Sequence, residues 1–172
     1  MTYERFKWKT EGKALPKNII PAGSCRFTVL TERLIRIEYD SAQRFTDEAS
    51  QVVFYRNFPE SSFTVSECGD VTEIKTEYLT LKYKTGLSLT KEVLSVELRQ
   101  APSTRWNFGE EIRQLKGTAC TLDGINGALK LEDGVCSRDG ITVLDDSRSL
   151  LLTEDGWFKN REAEDTDCYV FA

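Results

Sequence analysis

An all-β, antiparallel sandwich is the fold this sequence predicts. Apolar and polar residues alternate with a period of two in run after run, and Gly-containing turn dipeptides separate the runs at short intervals. No stretch of ten or more residues carries a helical stripe. In a strand, successive side chains point to opposite faces, so this alternation is that of a sheet with one face on a core and the other in water.

The first ten residues mix charge with aromatics and hold no apolar core of signal-peptide type. Cys25, Phe27 and Val29 alternate with Arg26 and Thr28, and Ile35, Ile37 and Tyr39 alternate with Arg36 and Glu38. The two-residue link Glu32-Arg33 between these runs predicts a tight hairpin. Further strands are expected over 51–56, 63–66, 71–76, 79–83 and 93–98, then over 140–145, 149–153 and 167–172. Turn signals fall at Cys68-Gly69-Asp70, Thr85-Gly86, Asp123-Gly124, Asn126-Gly127, Asp133-Gly134, Asp139-Gly140 and Asp155-Gly156. The segment from Asn107 to Ser137 is the most irregular, rich in Gly and polar residues. A long loop of that kind inside a domain is a candidate for function. The final Cys168-Tyr169-Val170-Phe171-Ala172 reads as an apolar strand that stops abruptly, and the expectation is that the natural chain continues.

Composition narrows the function classes. The 172 residues fit a single domain, 40% of them apolar and 30% charged, which argues against disorder. The longest apolar runs, such as Val52-Val53-Phe54-Tyr55, are far short of the roughly 20 residues of a membrane helix. Net charge is −5 and the basic residues are scattered, so no stripe exists to contact phosphates and no nucleic-acid partner is expected. Cys25, Cys68, Cys120, Cys136 and Cys168 are odd in number and widely spaced, which suits free thiols in a reducing, cytoplasmic setting rather than zinc or disulfides.

Histidine is absent altogether. That removes Ser-His-Asp and Cys-His nucleophile systems and H-E-x-x-H metal sites, leaving carboxylate, lysine or tyrosine chemistry. Glu110-Glu111, Glu132-Asp133, Asp145-Asp146 and Glu154-Asp155 are carboxylate pairs. Neighbours on a strand face opposite ways, so none of these pairs can flank one bond, and solvated turn carboxylates are the expectation. The two glycines of Leu-Asp-Gly-Ile-Asn-Gly-Ala (122–128) lack the Lys-Ser/Thr of a phosphate loop and read as β-turns. Trp8, Trp106 and Trp157 are candidate platforms for a sugar face, with core or interface packing the commoner use of such rings.

Several stretches together resemble the N-terminal domain of glycoside hydrolase family 31, the α-glucosidase and α-xylosidase family. They are Arg-Phe-Thr-Val-Leu-Thr-Glu-Arg-Leu-Ile-Arg-Ile-Glu-Tyr (26–39), Glu-Tyr-Leu-Thr-Leu-Lys-Tyr (77–83) and Gly-Thr-Ala-Cys-Thr-Leu-Asp-Gly (117–124). With them stand Leu-Glu-Asp-Gly-Val-Cys-Ser-Arg-Asp-Gly (131–140), Val-Leu-Asp-Asp-Ser (143–147) and Tyr-Val-Phe (169–171). The resemblance implies a galactose-mutarotase-like β-sandwich placed before a catalytic (β/α)₈ barrel. In the family the barrel supplies an aspartate nucleophile and an aspartate acid/base, which cleave an α-glycosidic bond with retention. No barrel motif is present, so residues 1–172 are expected to form one non-catalytic domain, with no cofactor, no metal and no mutarotase activity.

The resemblance also implies that one sandwich loop reaches over the barrel mouth. Here that loop would be residues 112–137, with Asp123 and Asp139 as acceptors for substrate hydroxyls and Arg138 orienting either carboxylate. The expected partners are the chain's own C-terminal barrel and an α-linked oligosaccharide or glycoside, and an exposed apolar patch is expected where the barrel sits. A free-standing carbohydrate-binding module and a sandwich unrelated to sugars are the alternatives.

Overall fold

The structure is a computed structural model that describes residues 8–117, 119, 121–162 and 166–172, with the backbone alone at Pro102. Among the described residues fourteen strands run in chain order: β1 (Ile19–Ala22), β2 (Cys25–Thr31), β3 (Leu34–Tyr39), β4 (Thr64–Cys68), β5 (Val71–Lys75), β6 (Leu79–Lys84), β7 (Leu94–Leu98), β8 (Ala101–Asn107), β9 (Gln114–Lys116), β10 (Asp133–Ser137), β11 (Thr142–Asp145), β12 (Leu151–Leu152), β13 (Phe158–Lys159) and β14 (Thr166–Phe171). Two five-stranded antiparallel sheets, ordered β1-β2-β3-β14-β11 and β4-β5-β6-β7-β8, make the sandwich, and β10-β9 and β12-β13 are short satellite ribbons. A single turn of 3₁₀ helix at Pro16–Asn18 leads into β1. Among the described residues no helix is long and apolar enough to cross a membrane.

The core lies between the sheets. Cys25, Phe27, Val29, Ile35, Ile37 and Val170 of the first meet Ile74, Leu79, Leu81, Tyr83, Leu94 and Val96 of the second, all of them buried. These are the inward positions of the alternating runs, and each large side chain so buried contributes about 1.5–3 kcal/mol. The Phe27 and Tyr83 rings meet edge to face across the gap, with centroids 5.4 Å apart.

The Glu32-Arg33 hairpin forms as expected, with Thr31 paired to Leu34. Gln43 is the one described non-glycine residue with a positive φ, so this turn is not of the type I′ form. A bulge between Val29 and Thr31 accompanies it, and such a bulge adds the local twist that the turn itself does not supply.

Three expectations need correction. The run 51–56 is not a strand but a segment with isolated bridges, Ser50 to Leu151 and Glu11 to Tyr55. Its reason is Arg56, which turns inward and donates from Nε to the Tyr169 hydroxyl at 2.5 Å and from Nη1 to the Glu48 carbonyl at 2.6 Å. Second, the outer face of the first sheet is not in water, because Thr28, Arg36, Glu38 and Asp167 are all buried. The chain from 40 to 60 and the stretch around Asp146 and Arg161 bond to this face and cover it. Third, the expected strand 149–153 shortens to β12, paired with β13.

Among the described residues β1, β8, β9, β10 and β13 have no counterpart in the alternation, and the two of these that belong to the main sheets, β1 and β8, contain a proline each, Pro21 and Pro102. Each is also the edge of its sheet, where a missing N–H costs no ladder bond.

Candidate functional site

The loop of residues 112–137 is clamped at its base and open beyond it. Arg113 donates its backbone N–H to Asp139 Oδ2 at 3.0 Å and its Nε to Oδ1 at 2.8 Å, while Arg138 N–H donates to the Arg113 carbonyl at 3.0 Å. Ser137 reinforces the corner, donating to the Ile141 carbonyl at 2.6 Å and accepting the Asp139 N–H at 3.1 Å. One step further out, β9 and β10 pair at Lys116 and Asp133, whose side chains form an ion pair. Gly134 is needed here, because a Cβ would stand 2.9 Å from the Leu115 carbonyl oxygen. The Gly117 N–H donates to the Glu132 carbonyl at 2.8 Å, and residues 121–130 beyond it are all exposed.

Several apolar side chains of this loop face solvent, while Ile112 packs on the core. Leu115, Leu122, Ile125, Leu129 and Val135 are all exposed, Leu122 by 69%. Residues of this kind normally supply the inside of a protein, and a cluster of them outside marks a contact surface.

Of the three residues the sequence singled out, the structure sets Asp123 apart from Arg138 and Asp139. Asp139 is held at the loop's base by Arg113, whose hydrogen bonds and charge keep its carboxyl below the usual carboxylate range. The orienting role expected of Arg138 is thus filled at Asp139 by Arg113. Arg138 itself is exposed beside this corner. Asp123 lies in the outer part of the loop, its N–H donating to the Thr121 hydroxyl at 3.1 Å while the residue stays exposed. Among the described residues no hydrogen bond or ion pair joins Asp123 to Arg138 or Asp139.

A second unfilled surface lies on the outer face of the first sheet. Leu34, Val53, Tyr55, Phe58, Leu144 and Phe171 line a groove of about 310 Å³ that is almost wholly apolar. Leu30 and Tyr169 form its buried floor.

Beside the groove sits a buried ion network that sequence spacing could not reveal. Arg36 binds Asp167 through Nε at 2.8 Å and Nη2 at 2.7 Å, and Arg161 reaches the same carboxylate at 2.8 Å. Glu38 takes two donors of Arg26, at 2.6 and 2.9 Å. Asp146, fully buried, accepts from Ser50 at 2.7 Å and Arg161 at 3.1 Å. The expectation that the Asp145-Asp146 pair is solvated holds for Asp145 alone, because the two face opposite ways and Asp146 points beneath the 40–60 cover. Burial alone would raise the Asp167 carboxyl, yet the Arg36 hydrogen bonds and the charges of Arg36, Arg161 and Arg56 hold it below its ordinary value. Burial pushes the Tyr169 hydroxyl up to about 12. Each of these carboxylates is committed to an arginine, which suits a structural latch rather than proton transfer.

Among the described residues no group of three or more His, Cys, Asp or Glu could hold a metal ion. Cys25 and Cys168 are buried free thiols and Cys68 and Cys136 exposed ones, while Cys120 lies outside the described residues. Of the tryptophans, Trp106 is buried with its indole N–H on the Glu110 carbonyl at 3.0 Å, and Trp8 packs edge-on to Phe54 at 5.2 Å. Trp157 stands in solvent.

Comparison with known proteins gives little beyond this. No family model matches the chain, and no curated protein matches it. Among solved structures, an α-xylosidase of glycoside hydrolase family 31 from Xanthomonas citri aligns with 81% of this chain at 15% identity and a TM-score of 0.41. The aligned chain spans 17% of that enzyme's length.

Proposed function

We propose that this chain is the non-catalytic N-terminal sandwich of a retaining, α-glucosidase-like glycoside hydrolase. In this reading it packs on the catalytic barrel and lends the loop 112–137 to the rim of the sugar pocket. The observation that carries it is the contrast within that loop, whose base is tied by Arg113 and Asp139 while Leu122, Ile125 and Leu129 face outward. A rigid base with an apolar, unburied outer part is suited to docking against another surface without a large ordering cost. The groove beside Leu34 and Phe171 supplies the further apolar patch that a docked domain needs.

The division of labour follows from the chemistry. The chain has no histidine, and its buried carboxylates are held by arginines, so bond cleavage falls to the barrel's aspartates. The loop's own part is to exclude water from the pocket and to orient the sugar, with Asp123 as acceptor and Arg138 as donor for hydroxyls. The substrate is an α-linked oligosaccharide or glycoside. A cytoplasmic setting belongs to the same proposal, and the free thiols support it.

The test is made on the polypeptide encoded by the whole reading frame. Replacing Leu122 and Ile125 with serine should raise KM for an α-glucoside severalfold while the Trp106 environment, read by near-UV circular dichroism, stays unchanged. Unaltered kinetics would remove the loop from the pocket.

A further inference from the structure

Asn126-Gly127 lies in the outer part of the loop 112–137, where both residues are exposed. A turn precedes it, in which Ile125 N–H donates to the Leu122 carbonyl at 3.1 Å and Gly124 takes a φ of 74°. Beyond that turn, neither the Asn126 side-chain amide nor the Gly127 N–H has a hydrogen-bond partner among the described residues. Gly127 has a φ of 100°, and a Cβ built on it would meet nothing within 4 Å. The asparagine side chain and the backbone nitrogen that follows it are therefore free to approach each other in water.

The other asparagines lack that freedom. Asn18 is buried and donates to the Pro59 carbonyl at 3.2 Å, Asn57 donates to Glu11 at 3.0 Å and Asn107 to Glu110 at 3.0 Å. Ile19, Phe58, Phe108 and Arg161 follow Asn18, Asn57, Asn107 and Asn160, and each brings a side chain against the nitrogen concerned. Asn126 is the asparagine of this sequence that glycine follows. The Asp-Gly pairs differ in chemistry, because a carboxylate's charge resists attack by nitrogen. Asp133 and Asp139 are also tied, to Lys116 and Arg113.

We propose that Asn126 is a self-modifying site, deamidated through its own backbone without an enzyme. The Gly127 nitrogen gives its proton to solvent base and attacks Asn126 Cγ. A C–N bond forms and closes a cyclic succinimide, the Cγ–Nδ2 bond breaks, and the amide nitrogen leaves as ammonia with a proton from water. Water then opens the ring at either carbonyl. One opening leaves aspartate, and the other leaves isoaspartate, with the main chain rerouted through Cβ and Cγ. Glycine makes closure easy, because the backbone angles it needs at position 127 are ones a Cβ would resist. The product changes the loop's surface. Asp123 and Lys130 are the charged residues of 121–130 and balance each other, so a new carboxylate makes this stretch negative beside the exposed Ile125 and Leu129. The chemistry needs only this loop in water, so it does not rest on the reading given above.

The experiment incubates the folded 172-residue chain at pH 8 for several days and then digests it with trypsin, which cuts after Lys116 and Lys130 and releases 117–130 as one peptide. Conversion is counted above that of the unincubated chain. The expected result is that this peptide gains the mass difference between an amide and an acid, and that it becomes a substrate for isoaspartate methyltransferase. The peptides that hold Asn57, Asn107 and Asn160 should keep their masses. Gly127→Ala should slow the conversion roughly tenfold, and Asn126→Gln should abolish it. An unchanged 117–130 peptide from the folded chain overturns the proposal, and conversion in urea alone would show that the fold protects the site. Conversion of Asn57 or Asn160 at the same rate, or a Gly127→Ala chain that converts as fast as the parent, overturns it as well.

Discussion

Arg36 of β3 and Asp167 of β14 are diagonal neighbours on paired strands and join through two parallel N–H···O bonds of 2.8 and 2.7 Å, with both side chains almost wholly out of water. The register sets Tyr169 opposite Arg36 and Asp167 opposite Glu38, so Arg36 lies diagonal to both carboxylates and bridges them. Removing one partner of such a pair strands the other in a dry site. Asp167→Ala should therefore cost about 3 kcal/mol in urea unfolding, near the low end for broken buried pairs because Arg36 keeps Glu38. Replacing both members with apolar residues, Arg36→Met with Asp167→Leu, should cost less than Asp167→Ala alone. A double replacement as damaging as the single one would refute the isolated-charge explanation.

The same pair sets the response to acid. The Asp167 carboxyl is held below its ordinary value in the fold, so the unfolded chain binds more protons at low pH. Its stabilisation is complete above the unfolded value of about 3.9 and is lost as pH falls through the folded value. Thermal midpoints should thus be nearly level between about pH 5 and 8 and drop below about pH 4. In Asp167→Asn that acid drop should be shallower, and an unchanged slope would assign it to other groups.

Gly12 is fixed by close approach. A Cβ there would stand 2.5 Å from the Asp47 carbonyl oxygen, with further backbone atoms of Glu48 and Ala49 around it. Backbone cannot move aside as a flexible side chain can, so Gly12→Ala should destabilise by about 1–3 kcal/mol. The displacement should loosen residues 47–49, where Glu48 accepts from Arg56. Hydrogen exchange faster at these amides than elsewhere would be the signature, and wild-type stability would contradict it.

Thiol reactivity should divide by layer. Burial pushes Cys25 up to about 11 and raises Cys168 further, whereas Cys68 and Cys136 are exposed. Since the thiolate is the reactive form, a disulfide reagent at pH 8 should label Cys68 and Cys136 in the native chain and reach Cys25 and Cys168 only on unfolding. Mass spectrometry of the labelled peptides reads this directly. Early labelling of Cys25 would mean that the sandwich opens.

What the sequence made legible follows what alternation can encode. Phe27, Ile37, Leu81 and Val96 stand at inward positions of regular runs, and all are fully buried. Alternation says nothing of a second cover on the outer face, so Arg36 and Glu38 read as solvated although the 40–60 segment encloses them. Prolines hid β1 and β8, and Arg56 broke the apparent strand at 51–56 by turning inward. At the candidate site, Asp139 was visible as a turn residue, but its link to Arg113 spans the whole loop and left no local signal. The outward apolar residues of the loop were present in the sequence, yet apolar identity alone does not tell a buried leucine from an exposed one.

The central proposal is that this sandwich serves a glycosidase barrel and has no hydrolytic activity of its own. It is tested most directly by hydrolysis of a chromogenic α-glucoside, run on residues 1–172 and on the product of the whole reading frame. The account predicts release of the chromophore by the longer polypeptide alone, and its loss when residues 112–137 are deleted with the rest of the fold intact. Activity in neither polypeptide, or in the 172-residue chain alone, would contradict it.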